Sequence, residues 1–517
     1  MARLWLIHFS AAKQHTSGPL IDNFYVWRFF SWQNISLPTI SAPAQIRRLC
    51  LPEGKFVKTA TAEYPTYYTN QSWVEQDPED WWAAFCQTTK TLMQGIPKED
   101  VLCVSFDGTY PNCLCVDKDG KPLHRAMIWQ DTRAYKQAEE ITKKIPAKYT
   151  ADRANHVMQT DRTLPKLLWI KENQPEIFAK TAMVLPCVSN YIVMRMTGVA
   201  CCDYSVGKGT AMVTMDHSDY ADEILEAAGI TREILPKLCD RTTIAGEVTE
   251  EFADQCGLAV GTKLVVGSDD SACTSIGAGI SEPGDCYMNG GTSAGIVFKR
   301  KPGDTTTGGQ TASSGSSFRW LRNTICQYEQ FLAKSEGRSA YDIIDEELAE
   351  APIGSHGVMF HPYLAGERKP RNNPRAKGSF VGITLTTTRQ DIMRSVIEGI
   401  GLNINLILQE ARDRGYVVDR MPIVGGLGKS EIVKQIFADI MNVELITYEY
   451  MDEAATVGAA VLGGMALGLY EDESAVHKFM KVTSVTKPIA ENHAAYQKLM
   501  PLFEDVYNAM VPLYEKM

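Results

Sequence analysis

Asp285-Cys-Tyr-Met-Asn-Gly-Gly-Thr-Ser-Ala-Gly-Ile-Val-Phe298 is the most informative stretch of this chain. Two apolar runs flank the segment Gly290-Gly-Thr-Ser293, which predicts a strand, a tight turn and a second strand. Glycine lets the backbone amides of such a turn approach an anion, and the hydroxyl groups of Thr292 and Ser293 add donors. Most Gly-Thr-Ser turns bind nothing, so the hairpin predicts a phosphate site only in the company of other motifs.

A glycine-rich bend occurs further along, in Ile423-Val-Gly-Gly-Leu-Gly-Lys-Ser-Glu431. It joins the end of an apolar strand to a predicted helix that runs to Ile440. Because a helix N-terminus favours negative charge, a nucleotide could bind against this backbone. The bend is not a P-loop, since that motif requires glycine where Ile423 stands. The alternative is a strand-to-helix turn without a ligand.

The rest of the chain predicts an α/β fold. From about Lys55 onward, β-rich runs alternate with amphipathic helical runs. Residues 101–116 predict strand, whereas residues 131–145 and 162–173 predict helices. The stretch Gly277-Ala-Gly-Ile-Ser-Glu-Pro-Gly284 lies between a predicted helix and a new strand, and it predicts a domain boundary. A chain of 517 residues exceeds what one hydrophobic core supports, so at least two domains are expected.

Composition limits the classes of function. The hydrophobic share of 44% and the charged share of 22% fit a soluble globular protein. No apolar run is long enough to cross a bilayer, and the first ten residues are a poor secretory signal, so a cytoplasmic location is expected. The net charge of −10 argues against a nucleic-acid partner. The 13 cysteines lack metal-ligand spacing and are expected to be reduced, mostly buried thiols. A small-molecule substrate is therefore expected.

Several further blocks, taken in order, resemble the FGGY family of carbohydrate kinases. Gly378-Ser-Phe-Val-Gly-Ile383 and Asp391-Ile-Met-Arg-Ser-Val-Ile-Glu398 match the family's second signature. Thr163-Leu-Pro-Lys-Leu-Leu-Trp-Ile-Lys-Glu-Asn173 nearly completes the first, with Asp161 where the family prefers a small or aromatic residue. The resemblance runs from about residue 53 to residue 470. Other similar blocks are Trp129-Gln-Asp-Thr-Arg133, Pro362-Tyr-Leu-Ala-Gly-Glu-Arg368 and Thr456-Val-Gly-Ala-Ala-Val-Leu462.

The resemblance, which is strongest to xylulokinases, implies an α/β fold of two duplicated, ribonuclease-H-like lobes of the actin type. The heat-shock chaperone ATPases share this fold, in which ATP and sugar meet in a cleft between the lobes. It implies a sugar-binding N-terminal lobe over residues 53–281 and a nucleotide-binding C-terminal lobe over residues 282–517. ATP and Mg²⁺ are the implied cofactors, and a homodimer would be unsurprising. The implied nucleotide contacts are Gly291, Thr292 and Ser293 at the second phosphate loop, and Gly425, Gly426 and Ser430 at adenine and ribose.

The catalytic base is implied by Val265-Val-Gly-Ser-Asp-Asp-Ser-Ala272, which resembles the family segment that carries it. Alignment through Gly277-Ala-Gly279 assigns the role to Asp270 and leaves Asp269 where relatives often have glycine. Phosphoryl transfer depends on positioning and charge, and a carboxylate beside the attacking hydroxyl takes its proton. Asp270 is also the candidate Mg²⁺ ligand. The residues alone favour a different role, in which the Asp pair caps the following helix.

The sugar contacts are less specific. In the family, the strand before the Trp129 block contacts the substrate, which places Asp107-Gly-Thr-Tyr-Pro-Asn112 against the sugar. The Gln-Met-His run of xylulokinases and the Arg-Glu pair of glycerol kinases are both absent there, so a ketopentose such as xylulose and a polyol both remain plausible. Trp129 could equally pack in the core. The candidate substrate contacts are Asp107, Thr109, Tyr110, Trp129, Asp131, Arg133 and Asp270.

Residues 1–52 are anomalous. A duplicated fold should begin with a strand, an Asp-x-Gly-Thr-x-Ser loop and a strand, but this segment is irregular and has one acidic residue, Asp22. If the third base of each codon is read together with the first two bases of the next codon, residues 39–48 permit the string Asp-Ile-Gly-Thr-Gly-Thr-Asn-Ser-Ala. Our hypothesis is that the segment is translated out of frame. The alternative is a divergent N-terminal extension.

Three functions follow from these patterns. The leading one is ATP-dependent phosphorylation of a small sugar or polyol. The missing loop leaves open a catalytically impaired member of the family that binds nucleotide and sugar, because losing a metal-holding Asp and a phosphate hairpin costs transition-state stabilisation. A chaperone-like ATPase is the third, and the Trp129 block and both signatures argue against it.

Overall fold

A computed structural model describes residues 25–27, 30–32, 44–50, 53–69, 72–150, 158–300 and 308–517, with the backbone alone up to residue 50. The hypothesis of an out-of-frame reading rests on residues 39–48, of which those up to 43 lie outside this description. It remains a hypothesis.

The chain forms two compact units. One comprises Met1–Gly277 and Ala455–Phe479, and the other Ala278–Ala454 and Met480–Met517. The last 25 residues of the first unit therefore follow most of the second unit in sequence. The lobe limits expected at residues 52 and 281 remain predictions.

The first unit contains a seven-stranded sheet of order β13-β14-β7-β1-β3-β2, in which β4 pairs with β3. Strands β1, β7 and β14 are parallel neighbours at its centre. The strands are β1 Tyr25–Trp27, β2 Phe30–Trp32, β3 Ala44–Cys50, β4 Phe56–Glu63, β5 Tyr67–Tyr68, β6 Val74–Gln76, β7 Val101–Gly108, β8 Leu114–Val116, β9 Ala126–Met127, β10 Met183–Leu185, β11 Cys201–Asp203, β12 Lys237–Cys239, β13 Ile244–Glu247 and β14 Lys263–Asp269. The helices are α1 Pro78–Met93, α2 Tyr135–Thr142, α3 Thr163–Asn173, α4 Pro175–Lys180, α5 Val188–Thr197, α6 Tyr204–Thr210, α7 Asp222–Ala228, α8 Glu250–Cys256 and α9 Asp270–Gly277.

Helix α1 shows why the first unit folds locally as it does. Asp77 caps it by accepting a hydrogen bond from the amide of Glu79. Pro78 occupies the first helical position, where its missing N–H group costs nothing because an N–H there has no partner within the helix. The helix buries Trp81 and Phe85 in the same core as strands β4 and β7. Strand β7 is buried along almost its whole length, as expected of a central parallel strand.

The second unit contains a six-stranded sheet of order β17-β16-β15-β20-β21-β22. Strands β15, β16 and β17 are antiparallel, whereas β15, β20 and β21 are parallel neighbours. The strands are β15 Cys286–Asn289, β16 Gly295–Phe298, β17 Gly308–Gln310, β18 Met359–His361, β19 Ser379–Val381, β20 Arg420–Val424, β21 Glu444–Tyr448 and β22 Val482–Thr486. The remaining helices of the chain are α10 Gly315–Thr324, α11 Gln327–Glu336, α12 Ala340–Glu350, α13 Arg389–Asp413, α14 Glu431–Met441, α15 Ala454–Ala466 and α16 Ala490–Tyr514.

The long helix α13 is central to the core of the second unit. Thr388 and Asp391 form a reciprocal capping box at its start. Its apolar face packs with strands β15 and β16 and with helix α14 in one hydrophobic core. Short 3-10 turns complete the description: Lys98–Asp100, Ala147–Tyr149, Arg232–Ile234, Ser355–Gly357, Gly426–Lys429, Met451–Glu453 and Glu473–Lys478.

Most of the secondary structure expected from the sequence is present. The predicted hairpin is β15 and β16, and the predicted helix to Ile440 is α14. The helix predicted over residues 131–145 is wrong at both ends, because α2 spans only Tyr135–Thr142. Asp131 precedes the helix instead, and its carboxylate accepts hydrogen bonds from the amides of Val74 and Arg133.

The cysteines from Cys86 onward are free thiols, of which Cys86 and Cys239 are half-buried and the others buried. None of the described helices combines the length and the apolar character needed to span a bilayer.

Candidate active site

The first candidate region is the carboxyl edge of the sheet in the first unit. Parallel strands β7 and β14 end side by side, with Asp107 paired in register with Ser268 and Gly108 with Asp269. The register shifts near Gly267, whose φ is +68° and whose added Cβ would lie 1.8 Å from the carbonyl oxygen of Phe106. Only glycine fits there. The parallel pairing of β7 with β14 brings two predicted site segments, around Asp107 and around Asp270, to one edge of the sheet.

Asp269 and Asp270 have different environments. Asp269 is 0% exposed, and its Oδ1 accepts a hydrogen bond of 2.9 Å from the amide of Ala272 in the first turn of α9. Ser205 lowers the pKa of Asp269, against the larger raising effect of burial. Asp270 is half-buried, and its Oδ1 accepts a hydrogen bond from the hydroxyl of Ser271 at 3.2 Å. The capping role considered for both residues therefore belongs to Asp269.

Further acidic groups surround this pair. Asp203 is buried, and its carboxylate accepts hydrogen bonds from the amides of Ser205 and Val206 and from the hydroxyl of Ser268 at 2.7 Å. Burial, and then the charge of Asp269, raise the pKa of Asp203. Burial also raises the pKa of Asp269. Both buried carboxyl groups therefore hold a proton more readily than they would in water.

Tyr110 adjoins the acidic edge. The negative charge of Asp269, followed by burial, raises the pKa of the Tyr110 hydroxyl well above its usual value. The ring also lies against Gly209, where an added Cβ would approach it to 2.4 Å. Tyr110 is thus a hydrogen-bond donor close to the Asp pair, as a sugar contact would require.

Lys166 was assigned no role by sequence reasoning, although it stands inside the first signature. It is 0% exposed, and its Nζ donates to the carbonyl oxygens of Pro111 at 2.9 Å, Ile128 at 2.7 Å and Asp161 at 2.6 Å. Burial lowers its pKa to about 8. One ammonium group thus holds together the loop after β7, the residue that follows β9 and the segment just before α3. The available signal was a lysine on the buried face of an otherwise amphipathic helix.

The charged side chains of the Trp129 block are hydrogen-bonded within the protein. Arg133 donates to both carboxylate oxygens of Asp131 and, at 2.6 Å, to Oε1 of Glu75. Its guanidinium lies over the ring of Trp73, 3.9 Å from the ring centre. Trp129 itself is half-buried. Contact of this block with a sugar remains a prediction.

The second candidate region is the turn between β15 and β16 in the second unit. The amide of Gly290 donates to the carbonyl of Val424 at 2.7 Å, and the amide of Leu427 donates to the carbonyl of Gly290 at 3.0 Å. Gly425 has φ +88°, and an added Cβ would lie 3.1 Å from the carbonyl carbon of Gly290. The structure therefore brings the predicted phosphate turn and the predicted adenosine bend side by side, because β15 and β20 are parallel neighbours.

Ser430 is used at the start of helix α14. Its hydroxyl oxygen accepts a hydrogen bond of 3.1 Å from the amide of Val433. Burial raises the pKa of Asp345 on α12 to about 6, and Ser430 opposes this rise. Ser430 is thus a helix cap, and its contact with a nucleotide remains a prediction.

Residues 311–317 support the phosphate turn. The amides of Ser314 and Ser316 donate to the carbonyl of Thr292 at 3.1 Å, and the amide of Gly315 donates to the carbonyl of Gly291 at 3.2 Å. The hydroxyl of Ser293 donates to the carbonyl of Ala312 at 3.3 Å. The N-terminus of α10 is thereby fixed against the turn.

Glu367 is a second supporting residue that sequence reasoning missed. It is buried, and its carboxylate accepts hydrogen bonds from the amides of Ala312 and Arg368 and from the side-chain amide of Asn403. Burial raises its pKa. It links the segment behind the phosphate turn to helix α13. A glutamate in the Pro362 to Arg368 block was visible in the sequence, but its partners were not.

Comparisons with known proteins agree with this arrangement. The N-terminal domain of the FGGY family of carbohydrate kinases matches residues 48–277, and its C-terminal domain matches residues 286–467. A xylulose kinase of Bacillus subtilis is 29% identical over 474 residues, which cover 88% of this chain and 92% of that protein. A gluconokinase of the same organism is 29% identical over 469 residues, covering 87% and 91%.

Solved structures show the same likeness. A ligand-bound xylulose kinase from Lactobacillus acidophilus aligns with a TM-score of 0.83 at 26% identity, covering 95% of this chain and 99% of that one. A gluconate kinase from the same organism aligns with a TM-score of 0.82 at 26% identity and the same coverage. The expected two-lobed α/β fold is confirmed, and the comparisons give no support to a catalytically impaired protein. The chain belongs to the FGGY family of carbohydrate kinases and is a sugar kinase that phosphorylates its substrate with ATP.

Proposed function

We propose that this kinase transfers the γ-phosphoryl group of ATP to a hydroxyl of a ketopentose such as xylulose, or of a polyol, with Asp270 as the general base. The carrying observation is the division of roles between the two adjacent aspartates. Asp269 is buried and caps α9, whereas Asp270 is half-buried at the same sheet edge as Asp107. A carboxylate in that position can take the proton of an attacking hydroxyl.

The charge of the first region supports a neutral substrate. Asp107, Asp203 and Asp269 are buried close to Asp270. In their ionised forms these groups would repel a substrate carboxylate, whereas they can hydrogen-bond neutral hydroxyls in either protonation state. A ketopentose or polyol therefore fits better than an aldonate such as gluconate, although relatives include both xylulose kinases and gluconokinases.

The second region is the proposed nucleotide side. Phosphate oxygens would bind at Gly291, Thr292 and Ser293, where the Gly291 amide and the Ser293 hydroxyl would exchange their present acceptors, Asn289 and Ala312, for phosphate. Gly425 and Gly426 would let adenosine approach the backbone. These segments are hydrogen-bonded neighbours in the structure.

Mg²⁺ is the proposed metal, with Asp270 as its protein ligand. The described residues contain no cluster of three or more His, Cys, Asp or Glu side chains suited to a metal. Mg²⁺ in kinases is usually held by one or two carboxylates together with substrate phosphates, so a single half-buried carboxylate fits it. When bound, the ion would neutralise charge on the phosphates.

The test is an ADP-release assay with ATP and Mg²⁺ over a panel of xylulose, ribulose, xylitol, glycerol and gluconate. We expect the highest kcat/KM with a ketopentose or a polyol. A highest value with gluconate would overturn the substrate assignment. ADP release that is independent of every sugar would overturn the proposed reaction.

The hypothesis about residues 39–48 bears on which polypeptide should be assayed. The coding DNA decides it, because the codons either can or cannot spell Asp-Ile-Gly-Thr-Gly-Thr-Asn-Ser-Ala in the shifted frame. If they can, the frame-corrected chain belongs beside the present chain in the same assay. Codons that cannot spell the string would reject the hypothesis.

A further inference from the structure

Arg319 on helix α10 lies at the phosphate turn. Its Nη2 contacts the hydroxyl oxygen of Thr292 at 3.5 Å. Thr292 is also the residue whose carbonyl receives the amides of Ser314 and Ser316 from the start of the same helix. The turn is therefore bordered by the N-terminus of α10 and by a cation one turn further along it.

The direction of this side chain follows from helix geometry. Side chains on an α-helix lean towards its N-terminus, and a residue shares its face with those three and four positions earlier. For Arg319 these are Ser316 and Gly315, and the amides of both donate to the turn. The guanidinium is thus aimed along the helix at the turn.

The chemistry of the turn lacks what Arg319 supplies. Its predicted donors are backbone amides and the hydroxyls of Thr292 and Ser293, which are neutral. A guanidinium can form charge-assisted, paired hydrogen bonds with phosphate oxygens, and these are stronger than neutral ones. Half-buried beside a turn of neutral donors, Arg319 would balance the charge of the phosphate chain.

We infer that Arg319 binds a β- or γ-phosphate oxygen of ATP at the turn formed by residues 290–293. This inference rests on the proposed nucleotide side of the second unit and adds a charged contact to it.

The test is the affinity of the full chain for ATP, ADP and AMP, measured by titration calorimetry at two salt concentrations. Arg319→Ala should weaken ATP binding by about 10- to 100-fold, as expected for loss of a hydrogen bond to a charged group. It should leave AMP binding within about twofold of the parent, because AMP has no β- or γ-phosphate, and it should reduce the salt dependence of ATP binding. Arg319→Lys keeps the charge without the paired geometry and should lose less.

Arg322→Ala is the matched control. Arg322 lies one turn further along α10, where it contacts the side chain of Asn323 and the ring of Tyr341. Its removal should leave all three affinities unchanged. An equal loss for ATP and AMP in Arg319→Ala would show that Arg319 only supports the turn, and unchanged ATP binding would exclude the contact. If the parent chain binds no ATP at all, the proposed nucleotide site of the second unit fails. If the parent binds ATP and Arg319→Ala binds it equally well, only the Arg319 contact fails.

Discussion

The acidic edge of the first unit and the phosphate turn of the second unit share one backbone arrangement but carry different side chains. In each, two parallel strands end side by side, β7 with β14 in one and β15 with β20 in the other. The first edge is lined by Asp107, Asp203 and Asp269 next to Asp270, whereas the second presents glycines and hydroxyls with Arg319 nearby. Neighbouring parallel strands thus bring distant residues together at one edge. The side chains at that edge then determine whether it suits proton transfer or anion binding.

The largest effect should come from the acidic edge. Asp270→Asn keeps the shape of the side chain but cannot accept a proton, so kcat should fall by about 10²- to 10⁴-fold, while the affinity for ATP measured without Mg²⁺ stays near the parent value. Steady-state kinetics and nucleotide titration measure the two quantities.

Asp254→Asn, on the exposed face of α8, is the control and should change neither quantity. Retained turnover in Asp270→Asn would show that Asp270 is not the general base.

The support behind the phosphate turn gives the next largest effect. Glu367→Gln replaces an acceptor of several hydrogen bonds by an amide that turns an NH₂ group towards a donor. We expect a loss of about 3 kcal/mol in the free energy of unfolding, because a buried donor is left without an acceptor. Urea denaturation measures it, with Glu336→Gln on exposed α11 as the control. No change would mean that the turn is held without Glu367.

The bend beside the turn offers a comparison between neighbouring glycines. Gly425 has φ +88° and ψ −178°, a conformation that side chains rarely adopt, so Gly425→Ala should cost about 2 kcal/mol of stability. An added Cβ at Gly426 meets no atom within 4 Å, so Gly426→Ala should change stability by less than about 0.5 kcal/mol. Chemical denaturation of both variants tests this. Equal losses would show that the conformation of Gly425 is not the cause.

The smallest effect concerns the buried acid behind the bend. Burial raises the pKa of Asp345 to about 6, so between about pH 4 and pH 6 the folded chain binds more protons than the unfolded chain. The contribution of Asp345 to stability is therefore present below about pH 4 and is lost as the pH rises to 6. Its size should be about 1 kcal/mol or less, since the group is partly exposed and screened.

Asp345→Asn should flatten this part of the curve of stability against pH, as measured by thermal denaturation. Asp254→Asn, exposed on α8, should leave the curve unchanged. The expected loss of stability would be contradicted if the stability of the parent rose between pH 4 and 6 while that of Asp345→Asn did not.

Much of the fold could be predicted because its signals are local. The hairpin at β15 and β16, helix α3 and helix α14 follow from hydrophobic spacing and from turn residues. The start of α2 could not be predicted, because Asp131 and Arg133 form contacts with Glu75 and Val74 that hold them outside the helix. Likewise, the bond between Glu367 and Ala312 spans 55 positions of sequence.

The sequence alone was sufficient for the family, the α/β class and the candidate residues of the base and of the phosphate turn. These depend on residue types at short spacing, and glycine, hydroxyl and carboxylate groups have local chemical requirements. The fold was needed to show that Asp269 caps α9, that Lys166 joins three segments and that Ala455–Phe479 returns to the first unit. The physical reason is that burial and hydrogen bonding between distant segments depend on packing, which no short pattern in the chain encodes.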